Sequence, residues 1–581
     1  MIEKSDIPYS DSPSDNVNNI AESFDNSKEI GKTVVSEKTP ITIDEFWFAI
    51  RSDRVLGVLD FVSVENLHKT RTIGIIKDLQ TVKISESSFH DDDPAISKPS
   101  IDISQYYEDM VDKGITVARV AIMANTGYNR NDRNFSISMP VQTNKSVRFA
   151  NLEEVIFALG IPEMEYPIPA GLIEMTDGLQ VPVSLATSYL VGPDTAHVNA
   201  SGISGNMKTS YLLFLLQSTY QRLRENRENN DVAVIIFNTK EEDLLHIDKR
   251  PDQITKRNEM LHDILQLGAE PFQNVTYFFP RGSDGKPNSM HRQSASTSPA
   301  VGNYKTYSYE LQDVYDRLEL LYPETYDPHY NVSAIIDYIY ESWPLRNKSG
   351  KTIKTWSKLL EFKKYPNEII THKSTLLHFI GHLQRFRKSS LFIDKRVGSV
   401  YLGRQINQIK AGEVFVIDLA LISSLEEQAF IVGDVIKTIN DMFSSSSQLY
   451  VHGTHTYRPK YLLVFIDEIN RFIPHNNNAL IRSAVAEQIK KFVIAGKSRK
   501  TILFSAQQFK STVDNTLHEN CGLHIIAKMG MSELASTPYN IIDENTKRDI
   551  VRLNKGEIVM IHPAFSHPIK ITFPKAAFKR R

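Results

Sequence analysis

The segment AHVNASGISGNMKTSYLLFLLQ, residues 196–217, joins an apolar strand, a loop with two glycines and a long helix. In this context a glycine-containing loop can bind phosphate groups. Backbone N–H groups of the loop and the first helical turn face the phosphates, and the helix dipole adds its positive end. The segment therefore favours an α/β fold built around a nucleotide site. The predicted nucleotide-binding residues are Gly202, Ile203, Ser204, Gly205, Asn206, Met207, Lys208, Thr209 and Ser210.

One residue of this loop departs from the usual pattern. Glycine is expected immediately before Lys208, and this chain has Met207. A glycine there allows a backbone conformation and a close approach that a side chain can obstruct. We expect Lys208 to supply positive charge and the Thr209 hydroxyl to bind Mg²⁺. The alternative is an ordinary helix start with an exposed lysine, and the loop alone does not separate the two.

A second motif lies in YLLVFIDEINRFIP, residues 461–474, where an apolar strand ends in two carboxylates. This is the Walker B arrangement, in which Asp467 holds Mg²⁺ through water and Glu468 polarises the attacking water. Acidic residues often follow buried strands, so the motif is weak when taken alone. Together with the loop, in this order along the chain, it predicts a nucleotide-binding site.

A third motif is AEQIKKFVIAGKSRKTILFSAQQ, residues 486–508. It predicts a helix with a basic end, followed by a strand that ends at Gln507 and Gln508. A glutamine at the tip of a strand beside Walker B can sense the γ-phosphate or orient water. The basic cluster has a simpler interpretation as a solvated helix end that complements the helix dipole.

The pattern of strands divides the chain. After residue 191, near-continuous apolar strands alternate with helices, which predicts a parallel sheet covered on both faces. Between about 307 and 395 helical segments replace the strands, which suggests a helical insertion. Residues 41–190 contain short β-branched runs typical of a small β-barrel. Residues 1–40 are polar, without an aromatic cluster, and are expected to form a flexible leader.

Composition excludes few functions. The 67 Lys and Arg residues nearly balance the 69 Asp and Glu residues of this 581-residue chain, so contact with DNA needs a local basic surface. The single cysteine, Cys521, excludes an intramolecular disulfide and is expected to be a buried core residue. We find no signal peptide and no run of apolar residues long enough to span a membrane, so the expected location is cytoplasmic.

These motifs together resemble the HerA family of the FtsK–HerA superfamily of hexameric DNA-translocating ATPases. The resemblance covers residues from about 41 to 577 and depends on the order of barrel, phosphate loop, helical insertion, VFIDEINRF, GKSRKTILFSAQQ and NKGEIVMIHPAFSHPIKITFPKA. It implies a HerA-type barrel over 41–190 and a RecA-like P-loop ATPase domain over 191–581. Two departures are Met207 and the sequence FNTKEEDLLHID after the second strand, where many relatives carry an acidic residue and a glycine-containing turn.

The resemblance also implies roles for individual residues. Lys208 and Thr209 match the Walker A pair, Asp467 and Glu468 the Walker B pair, and Gln507 the sensor glutamine. Arg499 is our choice for an arginine that acts on the site of a neighbouring subunit, with Lys497 and Lys500 as alternatives. An arginine suits this role because its planar fork can bridge phosphate oxygens.

The implied activity is ATP hydrolysis, with Mg²⁺, that drives DNA through a homo-hexameric ring. Family members work with a separate effector, such as a nuclease or a sirtuin-like NAD hydrolase, in DNA end processing or antiviral defence. An alternative is a nucleotide-dependent ring scaffold that assembles and switches a partner enzyme. A phosphotransferase acting on small molecules is disfavoured because no acceptor site is visible in the sequence.

Overall fold

The computed structural model describes residues 29–35, 39–82, 115–130, 133–135, 138–161, 164–205, 207–225, 231–290, 303–322, 325–326, 331–347, 349–362, 373–444, 458–475 and 481–580. The described chain forms two compact units. The first unit is formed by the described residues of Met1–Ala186 and Ile541–Phe573, and the second by those of Thr187–Asn540 and Pro574–Arg581. Residues 1–28 of the expected leader, and Asn206 of the loop, lie outside the described residues.

The first unit contains an antiparallel barrel. Its N-terminal strands are β1 (Glu29–Val34), β2 (Glu45–Ile50), β3 (Phe61–Glu65), β4 (Arg71–Val82), β5 (Ile115–Asn125), β6 (Tyr128–Arg130), β7 (Arg133–Phe135) and β8 (Ser146–Phe149). Among the described residues, six of these strands close in the order β1-β2-β5-β4-β3-β8, and β6 pairs with β7 as a separate hairpin. The barrel core is apolar and includes Ile30, Phe46, Phe48, Val62 and Val120. The predicted small β-barrel is confirmed.

The first barrel strand differs from the sequence-based expectation, because β1 lies inside the range 1–40 that we expected to be a leader. Ile30 is buried in the barrel core, and Gly31 lies so close to β2 that an added Cβ would be 2.0 Å from the Ala49 carbonyl oxygen. The strand buries Ile30 together with the polar residues Glu29 and Thr33, so its polar composition concealed it in the sequence.

The chain between the barrel and residue 186 contains helix α1 (Leu152–Ala158), β9 (Ile168–Glu174) and β10 (Gln180–Leu185). The carboxylate of Glu154, the third residue of α1, is fully buried and accepts two hydrogen bonds from Arg148, at 2.8 and 2.7 Å. These charge-assisted bonds hold α1 to the barrel strand β8. Strands β9 and β10 form an antiparallel hairpin that is not one of the barrel strands, although 41–190 was expected to be barrel throughout.

The second unit is built on a parallel sheet. Its strands are β11 (Val198–Ser201), β12 (Val232–Asn238), β13 (Val275–Pro280), β14 (Tyr304–Tyr307), β15 (Thr325–Tyr326), β16 (Val414–Asp418), β17 (Tyr461–Ile466), β18 (Ile481–Arg482), β19 (Thr501–Gln507) and β20 (Leu523–Ile526). Eight of these described strands run parallel in the order β20-β11-β19-β17-β12-β16-β13-β14, and β15 pairs with β18. Strands β12, β16 and β19 are buried at every residue, as expected for a sheet covered on both faces.

Helices pack around this sheet, and four of them lie in the range 307–395 among the described residues. The helices are α2 (Thr187–Val191), α3 (Lys208–Glu225), α4 (Lys256–Ile264), α5 (Leu311–Val314), α6 (Asn331–Glu341), α7 (Trp356–Glu361), α8 (Lys373–Arg387), α9 (Leu402–Asn407), α10 (Leu425–Ser444), α11 (Ala484–Arg499), α12 (Asn515–Glu519) and α13 (Met531–Leu534). The predicted α/β fold with a parallel sheet and a helical insertion is confirmed. Within the described ranges, no helix is both long and apolar enough to cross a membrane.

Residues 541–573 return to the first unit, although the sequence suggested one domain from 191 to 581. They form helix α14 (Glu544–Arg552) and the antiparallel strands β21 (Glu557–Ile561) and β22 (Ile569–Thr572), and Thr572 of β22 pairs with Leu172 of β9. Gly171 of β9 has a φ of 142°, and a Cβ there would be 2.7 Å from the Thr572 carbonyl oxygen. This close approach requires a glycine.

Candidate nucleotide-binding site

The phosphate loop leaves the carboxyl end of β11, which lies between β20 and β19 in the sheet. The Gly202 N–H donates to the Gln508 carbonyl oxygen at 3.1 Å, and the Ile203 N–H donates to that of Lys528, also at 3.1 Å. Gly202 has a φ of 150°, and a Cβ at this position would lie 2.7 Å from the Ala527 Cβ. The start of the loop is therefore fixed to the ends of both neighbouring strands.

Met207 occupies the position where glycine is expected, and its backbone has a φ of 62°, in the left-handed region. Its carbonyl oxygen accepts a hydrogen bond from the Tyr211 N–H at 2.9 Å, so the helix α3 begins at this turn. The N–H groups of the first residues of α3 have no partner within the helix. Met207 therefore adopts the left-handed backbone conformation that a glycine would adopt at this position.

Lys208 and Thr209 are the first two residues of α3. Burial lowers the pKa of Lys208, and the nearby charges of Asp467 and Glu468 partly oppose this effect. The Thr209 hydroxyl donates to the Asp467 carboxylate, with 3.2 Å between Oγ1 and Oδ2 and 258 residues between the two positions along the chain. The two sequence motifs thus meet at one point of the structure.

Asp467 and Glu468 directly follow the buried strand β17. Both are buried, with 4% and 9% of their surface exposed. Asp467 accepts the Glu468 N–H through Oδ1 at 2.9 Å, so its Oδ2 is directed towards Thr209. Glu468 has a φ of 53°, an unfavourable backbone conformation for glutamate of a kind that clusters at functional sites.

Lys240 is a residue of this site that the sequence interpretation did not identify. Its ammonium Nζ lies 2.7 Å from Asp467 Oδ2 and 3.2 Å from Glu468 Oε1. Burial alone would lower the pKa of Lys240, but the two carboxylates more than offset it, so the pKa lies above its usual value. The signal in the sequence was present as the departure FNTKEED, which places a lysine just beyond a central strand.

Arg580 is a second residue that the sequence did not reveal. Its guanidinium forms two hydrogen bonds with the Asp243 carboxylate, at 3.0 and 2.7 Å, and donates to Ser210 Oγ at 2.9 Å. Asp243 lies in the turn that carries Lys240, since its N–H donates to the Lys240 carbonyl oxygen. Arg580 therefore links the first turn of α3 to the turn after β12.

Gln507 lies at the end of β19 as predicted, and its side chain is fully buried. Its Nε2 donates to Asn199 Oδ1 at 2.8 Å, and Asn199 Nδ2 donates back to Gln507 Oε1 at 2.9 Å. This reciprocal pair joins two neighbouring parallel strands, β11 and β19. The backbone of Gln507 is in register with Ser201, directly before the loop, while its side-chain amide is taken up by the pair with Asn199.

Arg499 is the last residue of α11 and lies at the opposite edge of the sheet. Thr501 begins β19 and is paired with Leu462 near the start of β17, whereas Asp467 follows the end of β17. A strand of this length spans about 20 Å. Arg499 is therefore remote from the phosphate loop of its own chain, and the same holds for Lys497 and Lys500.

The residues that meet here suit a magnesium ion. Mg²⁺ takes oxygen ligands, binds through one or two protein groups and completes its shell with phosphate oxygens and water. The Thr209 hydroxyl and the Asp467 carboxylate provide two such oxygens 3.2 Å apart. Lys240, whose ammonium contacts Asp467, has a side chain that is 44% exposed on a flexible stem, so it can move aside.

No protein-family model matches the chain, and neither does any curated protein. Solved structures with a similar fold include VirB4 of Thermoanaerobacter pseudethanolicus, with 13% identity, a TM-score of 0.41, and coverage of 71% of this chain and 96% of that one. The bacterial conjugative coupling protein TrwBdeltaN70 has 9% identity, a TM-score of 0.38 and coverage of 66% and 87%. The genome packaging NTPase B204 of Sulfolobus turreted icosahedral virus 2, in complex with ATP-gammaS, has 8% identity, a TM-score of 0.21 and coverage of 30% and 72%. At these values the similarities do not identify the site or the activity.

Proposed function

We propose that this chain is a P-loop ATPase of the FtsK–HerA superfamily that works as a motor on DNA. The observation that carries the proposal is the contact of Thr209 with Asp467, at 3.2 Å across 258 residues of sequence. Two motifs that are each weak in the sequence are brought together at the carboxyl edge of a parallel sheet. Ligands of open α/β sheets bind at this edge.

Each residue of the site has a task in this reaction. The loop and the first turn of α3 hold the phosphates of ATP, and Lys208 adds a positive charge from a buried position. Thr209 and Asp467 hold Mg²⁺, which neutralises charge on the phosphate oxygens when bound. Glu468 orients and polarises the water that attacks the γ-phosphate.

We assign Arg499 to the nucleotide site of a neighbouring subunit. Its place at the far edge of the sheet supports this, because it cannot reach the phosphate loop of its own chain. Head-to-tail contacts between identical subunits generate closed rings. A homo-hexamer is the ring that the resemblance to HerA proteins implies, with each nucleotide between two subunits.

In this proposal the ring moves DNA by its backbone, so binding is independent of base sequence and weakens with salt. The net charge of −2 requires that the contacts come from local basic groups. A separate effector, such as a nuclease or a sirtuin-like NAD hydrolase, supplies the second activity in antiviral defence or DNA end processing. The proposed location is the cytoplasm.

A second candidate function is a ring scaffold that binds nucleotide and switches a partner enzyme with little translocation. Two contacts favour it: Lys240 occupies both Walker B carboxylates, and Gln507 is paired with Asn199. The two carboxylates cannot serve hydrolysis, and Gln507 cannot contact the nucleotide, until these contacts change. ATP turnover measured with and without duplex DNA separates the two functions, since only the motor is stimulated by DNA.

Two substitutions test the site itself. Lys208→Ala should weaken binding of a non-hydrolysable ATP analogue by tenfold or more, a loss of about 1.4 kcal/mol, measured by calorimetry.

Glu468→Gln should bind the analogue normally but lose about 10²- to 10⁴-fold in turnover, because the group that polarises water is gone. The exposed residues Lys256 and Glu259 supply matched controls, Lys256→Ala and Glu259→Gln. Unchanged affinity in Lys208→Ala would refute the loop assignment, and full turnover in Glu468→Gln would move the base elsewhere.

A further inference from the structure

The lysine at position 240 is held in place by the turn that follows β12. Asn238, the last residue of β12, donates from Nδ2 to the Glu241 carbonyl oxygen at 2.7 Å and to Asp418 Oδ1 at 2.9 Å. Strand β12 pairs in parallel with β17, with Phe237 opposite Ile466. The turn after β12 therefore lies beside Asp467 and Glu468, which directly follow β17.

The ammonium of Lys240 contacts the same carboxylate oxygen that faces Thr209. Asp467 Oδ2 lies 2.7 Å from Lys240 Nζ and 3.2 Å from Thr209 Oγ1. The other oxygen, Oδ1, is already used by the Glu468 N–H. A divalent cation held by Thr209 and Asp467 would therefore contact the same carboxylate oxygen as the Lys240 ammonium.

Two positive charges at one carboxylate oxygen repel each other, and a buried site screens the repulsion less than water does. The turn is anchored by Asn238 and by the Arg580–Asp243 pair, whereas the side chain of Lys240 is 44% exposed. The backbone stays in place and the long side chain is the part that can leave. Binding of a divalent cation and contact of Lys240 with Asp467 therefore oppose each other.

We propose that Lys240 is a built-in competitor for the divalent cation: it neutralises Asp467 and Glu468 in the empty protein, and the magnesium–nucleotide complex must displace it. This inference rests on the proposed function and concerns the regulation of the same site. It makes Lys240 a positioning residue that sets the concentration of Mg²⁺ at which the site fills. A nucleotide that arrives without the cation leaves the carboxylates paired with Lys240.

The test is Mn²⁺ binding to the full-length, nucleotide-free protein, followed by electron paramagnetic resonance. Lys240→Met removes the competing charge and keeps the apolar stem, so it should tighten Mn²⁺ binding by about tenfold. Lys240→Arg should stay within about threefold of the wild type because the charge remains. Lys256→Met, an exposed control, should change nothing. The Mg²⁺ concentration needed for binding of a non-hydrolysable ATP analogue should fall in Lys240→Met by a similar factor.

If Lys240 only held the two carboxylates in position, Lys240→Met would have the opposite effect: Asp467 would become more mobile and Mn²⁺ affinity would fall. Unchanged or weaker Mn²⁺ affinity in Lys240→Met therefore overturns the inference. The gain must also disappear when Asp467→Asn is added, and a gain that persists places the Mn²⁺ elsewhere and overturns it too. Failure of the proposed function is read separately, from absent binding of the ATP analogue by the wild-type protein.

Discussion

Met207 adopts the left-handed turn that glycine usually makes at this position of the proposed phosphate loop. The residue has a φ of 62°, and the neighbouring Gly205 has a φ of 85°. A left-handed backbone costs a residue with a side chain about 1–3 kcal/mol, and such strain persists only where the surrounding structure imposes it. Here the Tyr211 N–H and the start of α3 fix the turn. The question about Met207 therefore concerns strain and stability as much as obstruction of the nucleotide.

The effect of a substitution at position 207 on stability and nucleotide affinity should depend on how well the new residue tolerates the left-handed backbone, and not on the volume of its side chain. Met207→Gly relieves strain but makes the unfolded chain more flexible, so the thermal unfolding midpoint should change little, with offsetting terms of about 1 kcal/mol each. Met207→Val adds a β-branched residue to the left-handed region and should lower both the midpoint and the affinity for an ATP analogue. Thermal denaturation and calorimetry measure these effects. Weaker binding in Met207→Gly than in Met207→Val would show that the methionine side chain itself is required.

The residues that the sequence identified at the site are those whose neighbours along the chain carry a pattern. Lys208 and Thr209 follow a strand and glycines, and Asp467 and Glu468 end an apolar strand. Lys240 lies in the departure FNTKEED, but neither it nor Arg580 could be given a role from the sequence, because their partners are 227 and 337 residues away. Asn199 likewise acquires its role only when β11 meets β19. Residue types predicted the loop and the carboxylates, and only the fold could supply the contacts between distant segments.

At the scale of elements, β11 and β19 are joined by the Asn199–Gln507 amide pair as well as by backbone hydrogen bonds. Asn199 also donates to Ser505 Oγ at 3.0 Å, so this side of the sheet carries a fully buried polar network. Buried amides without partners destabilise a fold strongly. A sensor role for Gln507 therefore requires that the pair opens when nucleotide binds, whereas a structural role requires that it stays closed.

Replacing one or both amides separates these roles. Gln507→Leu leaves Asn199 Oδ1 without the donor Gln507 Nε2 and should destabilise the protein by about 1–3 kcal/mol, measured as a lower thermal midpoint. The double variant Asn199→Leu/Gln507→Leu removes both polar groups and should recover much of that loss. If Gln507 senses the γ-phosphate, the double variant stays folded and binds ATP but has reduced turnover. Wild-type turnover in the folded double variant would assign the pair to structure alone.

The sequence predicted a strand correctly where a continuous run of apolar residues was long enough to indicate a buried strand. Strands β12, β16, β17 and β19 read as continuous apolar segments and are buried in the structure. Strand β1 was not predicted, because the core uses little more than Ile30 in a polar segment. Strand β10 was predicted but was assigned to the barrel with the rest of 41–190, since alternation of side chains does not reveal which sheet a strand joins.

At the scale of the whole molecule, the two edges of the parallel sheet carry different chemistry. The carboxyl edge holds the phosphate loop and the Walker B carboxylates, and the amino edge holds the basic end of α11. In one chain these groups are separated by the length of a strand, about 20 Å. In a head-to-tail ring the basic edge of one subunit can face the nucleotide edge of the next. The arrangement is therefore consistent with sites that need residues from two chains.

Mixing two inactive variants tests this arrangement. Arg499→Ala subunits keep Glu468, and Glu468→Gln subunits keep Arg499, so some interfaces in mixed rings contain both intact residues. With random mixing in equal amounts, about a quarter of the interfaces are complete, and ATP turnover should approach that fraction of the wild-type rate. Lys491→Ala is the control and should stay active, because its side chain is exposed on the same helix but it is not a candidate for the shared site. Mixtures of Glu468→Gln with the double variant Arg499→Ala/Glu468→Gln form no complete interface and should remain inactive. Inactivity of the first mixture, in rings shown to contain both variants, would assign Arg499 to its own chain and remove the main support for a site shared between subunits.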